Sequence, residues 1–102
     1  MRVFHVTTPE AWEEARQAGA YTTSTRGRTL AEEGFIHCST EQQVEGVRGR
    51  YFADLPRLLL LEIDTDRLSS PWLVEEVPGT GDSYPHVYGP VDLEAVTGVR
   101  PL

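Results

Sequence analysis

Three histidines carry the first chemical signal in this 102-residue sequence: His5 in Phe4-His5-Val6, His37 in Ile36-His37-Cys38 and His86 in Pro85-His86-Val87-Tyr88. Each lies beside aliphatic residues in a segment with strand-like alternation, so each is expected to face away from those neighbours. Together they point to a shared polar cleft; the alternative is three separate, partly buried histidines, each held by a backbone hydrogen bond. Ser39 shares a face with His37 just ahead of a helix start, where free amides and the helix dipole favour polar or anionic groups. Its alternative role, and that of Thr40, is capping. Glu75 and Glu76 stand between Val74 and Val77, so one is expected in the cleft and the other in solvent, and alternation alone does not choose. Tyr21 and Tyr88 are candidates to stack on a flat ligand ring. From Arg16 to Leu30 the chain carries Arg16, Arg26 and Arg28 and no acid, a stretch that suits either a solvated loop or one small anionic group such as a pyrophosphate.

Other chemistries are disfavoured. His37 and Cys38 are adjacent on a strand and point to opposite faces, and no two ligands have the short spacing of zinc sites, so no metal is expected. Cys38 shares a face with Ile36 and reads as a buried small hydrophobe; one cysteine cannot form a disulfide within the chain. There is no glycine-rich phosphate loop and no nucleophile elbow. The net charge of -7 argues against general nucleic-acid binding. That acidity is uneven: residues 1–61 hold seven Arg against eight acids, residues 62–102 two Arg against eight. A nearly neutral first half leaves room for a single nucleotide or small metabolite. The longest aliphatic run, Leu58 to Leu61, is far short of the roughly 20 apolar residues of a membrane span, and no secretory signal is visible, so the expected location is cytoplasmic.

The elements that must position these residues are legible from local signals. Residues 2–6 alternate as a strand. Thr8-Pro9 supplies a cap and a first-turn proline, and Gly19 a stop, for a helix over 9–18. Residues 20–23 read as a short strand, 24–27 as a polar loop, and 29–33 as one helical turn ended by Gly34. Phe35 to Ser39 is the next strand, and Thr40 with Gln43 forms a capping box for a helix ending around 49–52. Leu58 to Ile63 is the strongest strand, Leu73 to Val77 another, and Val87 with Leu93 to Val99 suggests one or two more; 79–82 is a loop. The expected architecture is a single α+β domain over 1–102, with its helices in the first half and most strands in the second.

The blocks Phe4-His5-Val6, Glu33-Gly34-Phe35-Ile36-His37-Cys38-Ser39-Thr40, Leu59-Leu60-Leu61-Glu62-Ile63-Asp64 and Pro85-His86-Val87-Tyr88-Gly89 together resemble the bacterial family called domain of unknown function 952 (DUF952). The resemblance covers nearly the whole chain. It implies a fold similar to that of ADP-ribosyltransferases, a small split antiparallel β-sheet domain whose active members bind NAD in a central cleft. Members that remove a 2'-phosphate from RNA carry His-Gly-Thr, then His-X-Ser, then an aliphatic strand ending in Asp. Here His5-Val6-Thr7, His37-Cys38-Ser39 and Leu58 to Asp64 follow in that order, with Val6 in place of the glycine.

The resemblance implies cleavage or transfer at the nicotinamide-ribose bond of NAD or a related nucleotide, with NAD as substrate and no metal. In this reading His5 and Thr7 meet a ribose, Tyr21 and Tyr88 meet a ring, and Arg26 or Arg28 meets the pyrophosphate. His37, Ser39 and His86 polarise the ligand, and Glu75 or Glu76 stabilises positive charge on the ribose carbon. The competing reading is a non-catalytic module that binds a small metabolite or a peptide in the same His-lined cleft. The oligomeric state is open.

Overall fold

Arg2–Thr7 (β1) and Leu59–Asp64 (β6) are the segments richest in alternating apolar residues, and they pair antiparallel from Arg2 opposite Asp64 to Thr7 opposite Leu59. Val96–Pro101 (β10) adds to the other side of β6, giving a three-stranded sheet in the order β1-β6-β10. The second sheet is built from Ile36–His37 (β5), Trp72–Val77 (β7) and Asp82–Val87 (β8), in the order β5-β8-β7. Two small pairs complete the strands: Ala20–Tyr21 (β2) with Val91–Asp92 (β9), and Thr23–Thr25 (β3) with Arg28–Thr29 (β4). The computed structural model describes residues 1–102. Its α-helices are Pro9–Ala18 (α1), Leu30–Glu33 (α2) and Val44–Tyr51 (α3), all in the first half, so the chain is a small α+β unit with antiparallel sheets. No helix is long and apolar enough to cross a membrane.

Local chemistry sets the helix limits. The Thr8 hydroxyl accepts from the Ala11 amide at 3.1 Å, Pro9 opens α1, and Gly19 closes it in the left-handed conformation at φ 90°. Thr29 and Glu32 form a capping box on α2, which Gly34 ends at φ 87°. The helix expected from Thr40 starts instead as a tight 3-10 turn over Glu41–Gln43 before continuing as α3. Gln43 explains the tight start: its Oε1 accepts from the Thr40 amide at 3.0 Å, while its Nε2 reaches Asp82 at 3.0 Å and the Ser83 carbonyl at 2.8 Å.

One proline divides the two sheets. The Cys38 amide donates to the Pro85 carbonyl at 2.9 Å, but Pro85 has no N–H to return, so the β5-β8 ladder ends there. Ser39 crosses to the other sheet and exchanges two backbone bonds with Phe4, at 2.8 and 2.7 Å. The strand expected over 35–39 is therefore shared between two sheets. The expected loop over 24–27 is in part strand as well; Ser24 is fully buried there, its hydroxyl satisfied by the Phe35 carbonyl.

The core has two halves because β1 and β6 are buried on both faces. Val3, Leu61 and Ile63 join Tyr21, Ile36, Cys38 and Val87 in the larger half, against which Trp12 of α1 packs. Phe4, Val6, Leu58 and Leu60 join Val44 and Phe52 in the smaller half, with Val47 of α3 beside them. Gly89 marks the tightest backbone approach. It adopts φ 156°, and a Cβ there would stand 2.9 Å from the Cβ of Ser70, whose hydroxyl holds the Pro90 carbonyl at 2.7 Å. Gly89→Ala is expected to cost about 1–3 kcal/mol in urea unfolding, through overlap and displacement of Ser70.

Candidate functional site

Strand register places the chemistry on one face of the β5-β8-β7 sheet. His37 lies opposite His86, which lies opposite Leu73, and Tyr84 lies opposite Glu75. Residues directly opposite or two apart share a face, so Val77, Glu75, Tyr84, His86 and His37 stand together, and Tyr88 follows just beyond β8. The His86 Nδ1–H donates to Glu75 Oε1 at 2.9 Å, and the Tyr88 hydroxyl donates to the same oxygen. These two bonds, Tyr88 first and His86 second, hold the Glu75 carboxyl below the ordinary glutamate range, and the adjacent carboxylate raises the Tyr88 hydroxyl. Phe35 stacks on His86 with ring centres 4.1 Å apart, and the His37 ring meets His86 edge-on at 5.3 Å. Under this cover His86 is only 4% exposed, and its Nε2 is buried without a partner.

His37 is one-third exposed. Its Nε2 lies 3.2 Å from Glu33 Oε1, and the other Glu33 oxygen takes Arg28 Nη1 at 3.3 Å. Gly34 makes this pairing possible, because its left-handed turn lets the chain pass directly from α2 into β5.

A groove opens beside this cluster where the sheets part and α3 crosses the gap. Val47, Arg50 and Tyr51 form one wall, Phe4, Val6 and Phe52 the floor, and Val77, Tyr84 and His37 the wall shared with the Glu75 cluster. The spacing i, i+3, i+4 along α3 turns its three residues the same way. Counted out to open solvent, the groove holds about 460 Å³.

Tyr21 and Thr7 do not line the groove, and His5, which does line it, is only 3% exposed. Because β1 is buried on both faces, a side chain that turns away from Phe4 and Val6 enters the larger half of the core. There the His5 Nδ1–H donates to the His37 carbonyl at 2.5 Å, and His5 Nε2 lies 2.6 Å from the Tyr21 hydroxyl, itself 2.7 Å from Thr7 Oγ1. Burial lowers the His5 pKa to about 4, so the ring is neutral at pH 7 and Nε2 accepts the Tyr21 proton. Tyr21 in turn accepts from Thr7, and burial raises its pKa above the usual tyrosine value. Tyr21 has no exposed surface, which corrects its expected role of stacking on a ligand ring. His37 and His86 meet ring to ring, and His5 is tied to His37 through the His37 carbonyl, with its own ring turned to Tyr21.

The remaining expectations sort by register and pairing. Glu75 faces the cluster, whereas Glu76 is exposed to solvent and is removed from the catalytic candidates. Ser39 lines the groove but is 2% exposed, with its hydroxyl 3.4 Å from the Phe4 carbonyl, so it joins the sheets. Arg26 is paired with Asp54 in a two-pronged ion pair and Arg28 with Glu33, and neither lines the groove. Cys38 is buried in the larger core, and desolvation pushes its thiol up to about 12. No group of three or more His, Cys, Asp or Glu side chains is arranged to hold a metal. Sequence reasoning missed Phe35, Glu33, Tyr84 and Arg50. The i, i+4 spacing of Glu33 and His37 was a usable signal for one of them; the other three depend on strand pairing and on where α3 crosses.

The family described as "Protein of unknown function (DUF952)" matches residues 6–99. No curated protein matches the chain. Among solved structures it is similar to protein CC0527 from Caulobacter crescentus and to a double mutant of that protein. Each is 24% identical at a TM-score of 0.78, covering 100% of this chain and 86% of the other. At that identity the likeness establishes a shared fold. With the family match spanning nearly its whole length and the motif blocks in place, the chain belongs to the DUF952 family.

Proposed function

We propose that the groove binds a nucleotide and that the Glu75 cluster cleaves NAD at its nicotinamide-ribose bond, in the manner of ADP-ribosyltransferases. The observation that carries this reading is the Glu75 carboxylate, kept ionised by Tyr88 and His86 directly opposite Tyr84 on the groove wall. Two antiparallel sheets parted at a cleft, and the order of His5-Val6-Thr7 and His37-Cys38-Ser39, support it further. In the step envisaged, the bond between the ribose C1' and the nicotinamide nitrogen breaks, and its electron pair leaves with nicotinamide. Positive charge develops on C1', where a fixed carboxylate is worth most. A water or acceptor hydroxyl then bonds to C1', and its proton passes to the exposed His37 imidazole or to solvent.

A second reading, binding without turnover, is favoured by the burial of His5 and Tyr21. Calorimetric titration with NAD and a nicotinamide-release assay separate the two. Binding with release supports cleavage, and binding without release supports the module. Neither binding nor release at millimolar NAD would rule out both.

A further inference from the structure

We propose that Arg50, flanked by Tyr51 and Tyr84, is the seat for the phosphate of the nucleotide that occupies the groove; this rests on the reading of the groove as a nucleotide site. The argument starts from charge. Of the nine arginines, Arg2, Arg16, Arg26, Arg28, Arg48 and Arg67 each lie within 4.0 Å of a carboxylate. Arg50, Arg57 and Arg100 do not, and of these only Arg50 lines the groove. No Asp or Glu lines it, in a chain with a net charge of -7. The groove wall is thus a place where the protein leaves a cation unneutralised.

The partners of Arg50 hold it without cancelling its charge. Its Nη1 donates to the Tyr84 hydroxyl at 3.4 Å, and its guanidinium lies over the Tyr51 ring, 5.8 Å from the centroid. Because Tyr84 accepts from Arg50, its own O–H remains free to donate, and Thr25 brings a second hydroxyl to the rim. A guanidinium and a phenol in contact on one groove wall match the several acceptor oxygens of a phosphate. The apolar floor of Phe4, Val6 and Phe52, with the two tyrosine rings, gives the flat part of a nucleotide something to lie against. This seat replaces Arg26 and Arg28, whose charges are already taken.

Calorimetry of the full chain with ADP, adenosine and inorganic phosphate tests the seat, comparing the native protein with Arg50→Gln and, as control, Arg57→Gln. Both side chains are exposed, so both variants are expected to fold, which circular dichroism checks. Arg50→Gln should weaken ADP binding about tenfold or more while leaving adenosine binding unchanged, because it removes one charged hydrogen-bond partner of the phosphate. Arg57→Gln should change neither. Equal ADP affinity in the native protein and Arg50→Gln would overturn the proposal, as would the absence of ADP binding to the native protein. Inorganic phosphate displacing ADP at equal concentration would overturn the nucleotide assignment. Arg50-dependent ADP binding without nicotinamide release from NAD would keep the seat and end the cleavage reading. Release with a KM unaffected by Arg50→Gln would do the reverse.

Discussion

Lowering the pH from 6.5 to 4 is expected to remove about 3 kcal/mol of folding stability through His5 alone. Burial lowers the folded pKa of this histidine to about 4, against 6.5 for the unfolded chain. Between those values the unfolded chain holds a proton that the folded protein cannot accept. Falling pH therefore favours unfolding: the contribution of His5 is complete above 6.5 and gone below about 4. Inside the core the Nδ1–H is committed to the His37 carbonyl and Nε2 to the Tyr21 hydroxyl. Protonation would turn the Tyr21 proton from Nε2 to Thr7 Oγ1 and leave an uncompensated charge in the core. The exposed or half-exposed carboxylates Glu75, Asp54, Asp82 and Asp92, all held below their ordinary range by hydrogen bonds, act with the same sign but lower on the scale. Their contribution is present above the unfolded carboxylate values and fades only as pH falls beyond them. Urea unfolding at half-unit steps from about pH 7.5 down to about pH 2 resolves the two windows. His5→Gln should be less stable at pH 7 and nearly flat between 6.5 and 5; a native protein that is itself flat there would contradict the assignment.

Glu75→Gln is expected to reduce nicotinamide release by about 10²–10³-fold while leaving NAD affinity nearly unchanged. The substitution keeps the shape of the side chain and a hydrogen-bonding carbonyl, but removes the charge that would face the developing cation. Glu76→Gln, on the solvent side of the same strand, should have no effect and controls for general damage to β7. Tyr88→Phe removes the larger of the two influences that hold Glu75 ionised, so the carboxyl pKa should rise toward its ordinary value and the acidic limb of the rate profile should move to higher pH. Equal loss in Glu75→Gln and Glu76→Gln would place the effect in the strand instead of the carboxylate. Normal turnover in Glu75→Gln would remove it from the reaction.

Several parts of this site were open to reading from the chain alone because their causes are local. Cys38 as core followed from its alternation with His37, and Thr40 with Gln43 as a helix start followed from capping. Alternation also showed that Glu75 and Glu76 must part, but which one turns to the histidines depends on register: Glu75 lies opposite Tyr84, and Tyr84 is two residues from His86 on the same strand face. His5 shows the limit most clearly. Alternation turned it away from Phe4 and Val6 as expected, yet a polar cleft on the far side was an assumption. Leu61 and Ile63, delivered by β6 from about 60 residues away, put core there instead.

The sequence by itself determined what depends on neighbouring residues: the limits of α1 and α2, the leucine-rich strand β6, the family membership carried by its motif blocks, and the side to which each strand residue points relative to the next. Only the tertiary structure decided which sides meet. Pro85, unable to donate a backbone bond, lets Ser39 leave one sheet for the other, and the gap this opens under α3 is the groove. Whether an arginine is free depends likewise on carboxylates brought from elsewhere, as Asp54 is to Arg26, a pairing across 28 residues. Local propensity acts over a few residues, whereas strand pairing, two-sided burial and charge neutralisation act across the whole chain; for that reason three histidines in similar sequence settings came to differ, His5 bonded into the core by Tyr21, His86 buried against Phe35 and bonded to Glu75, and His37 partly exposed beside Glu33.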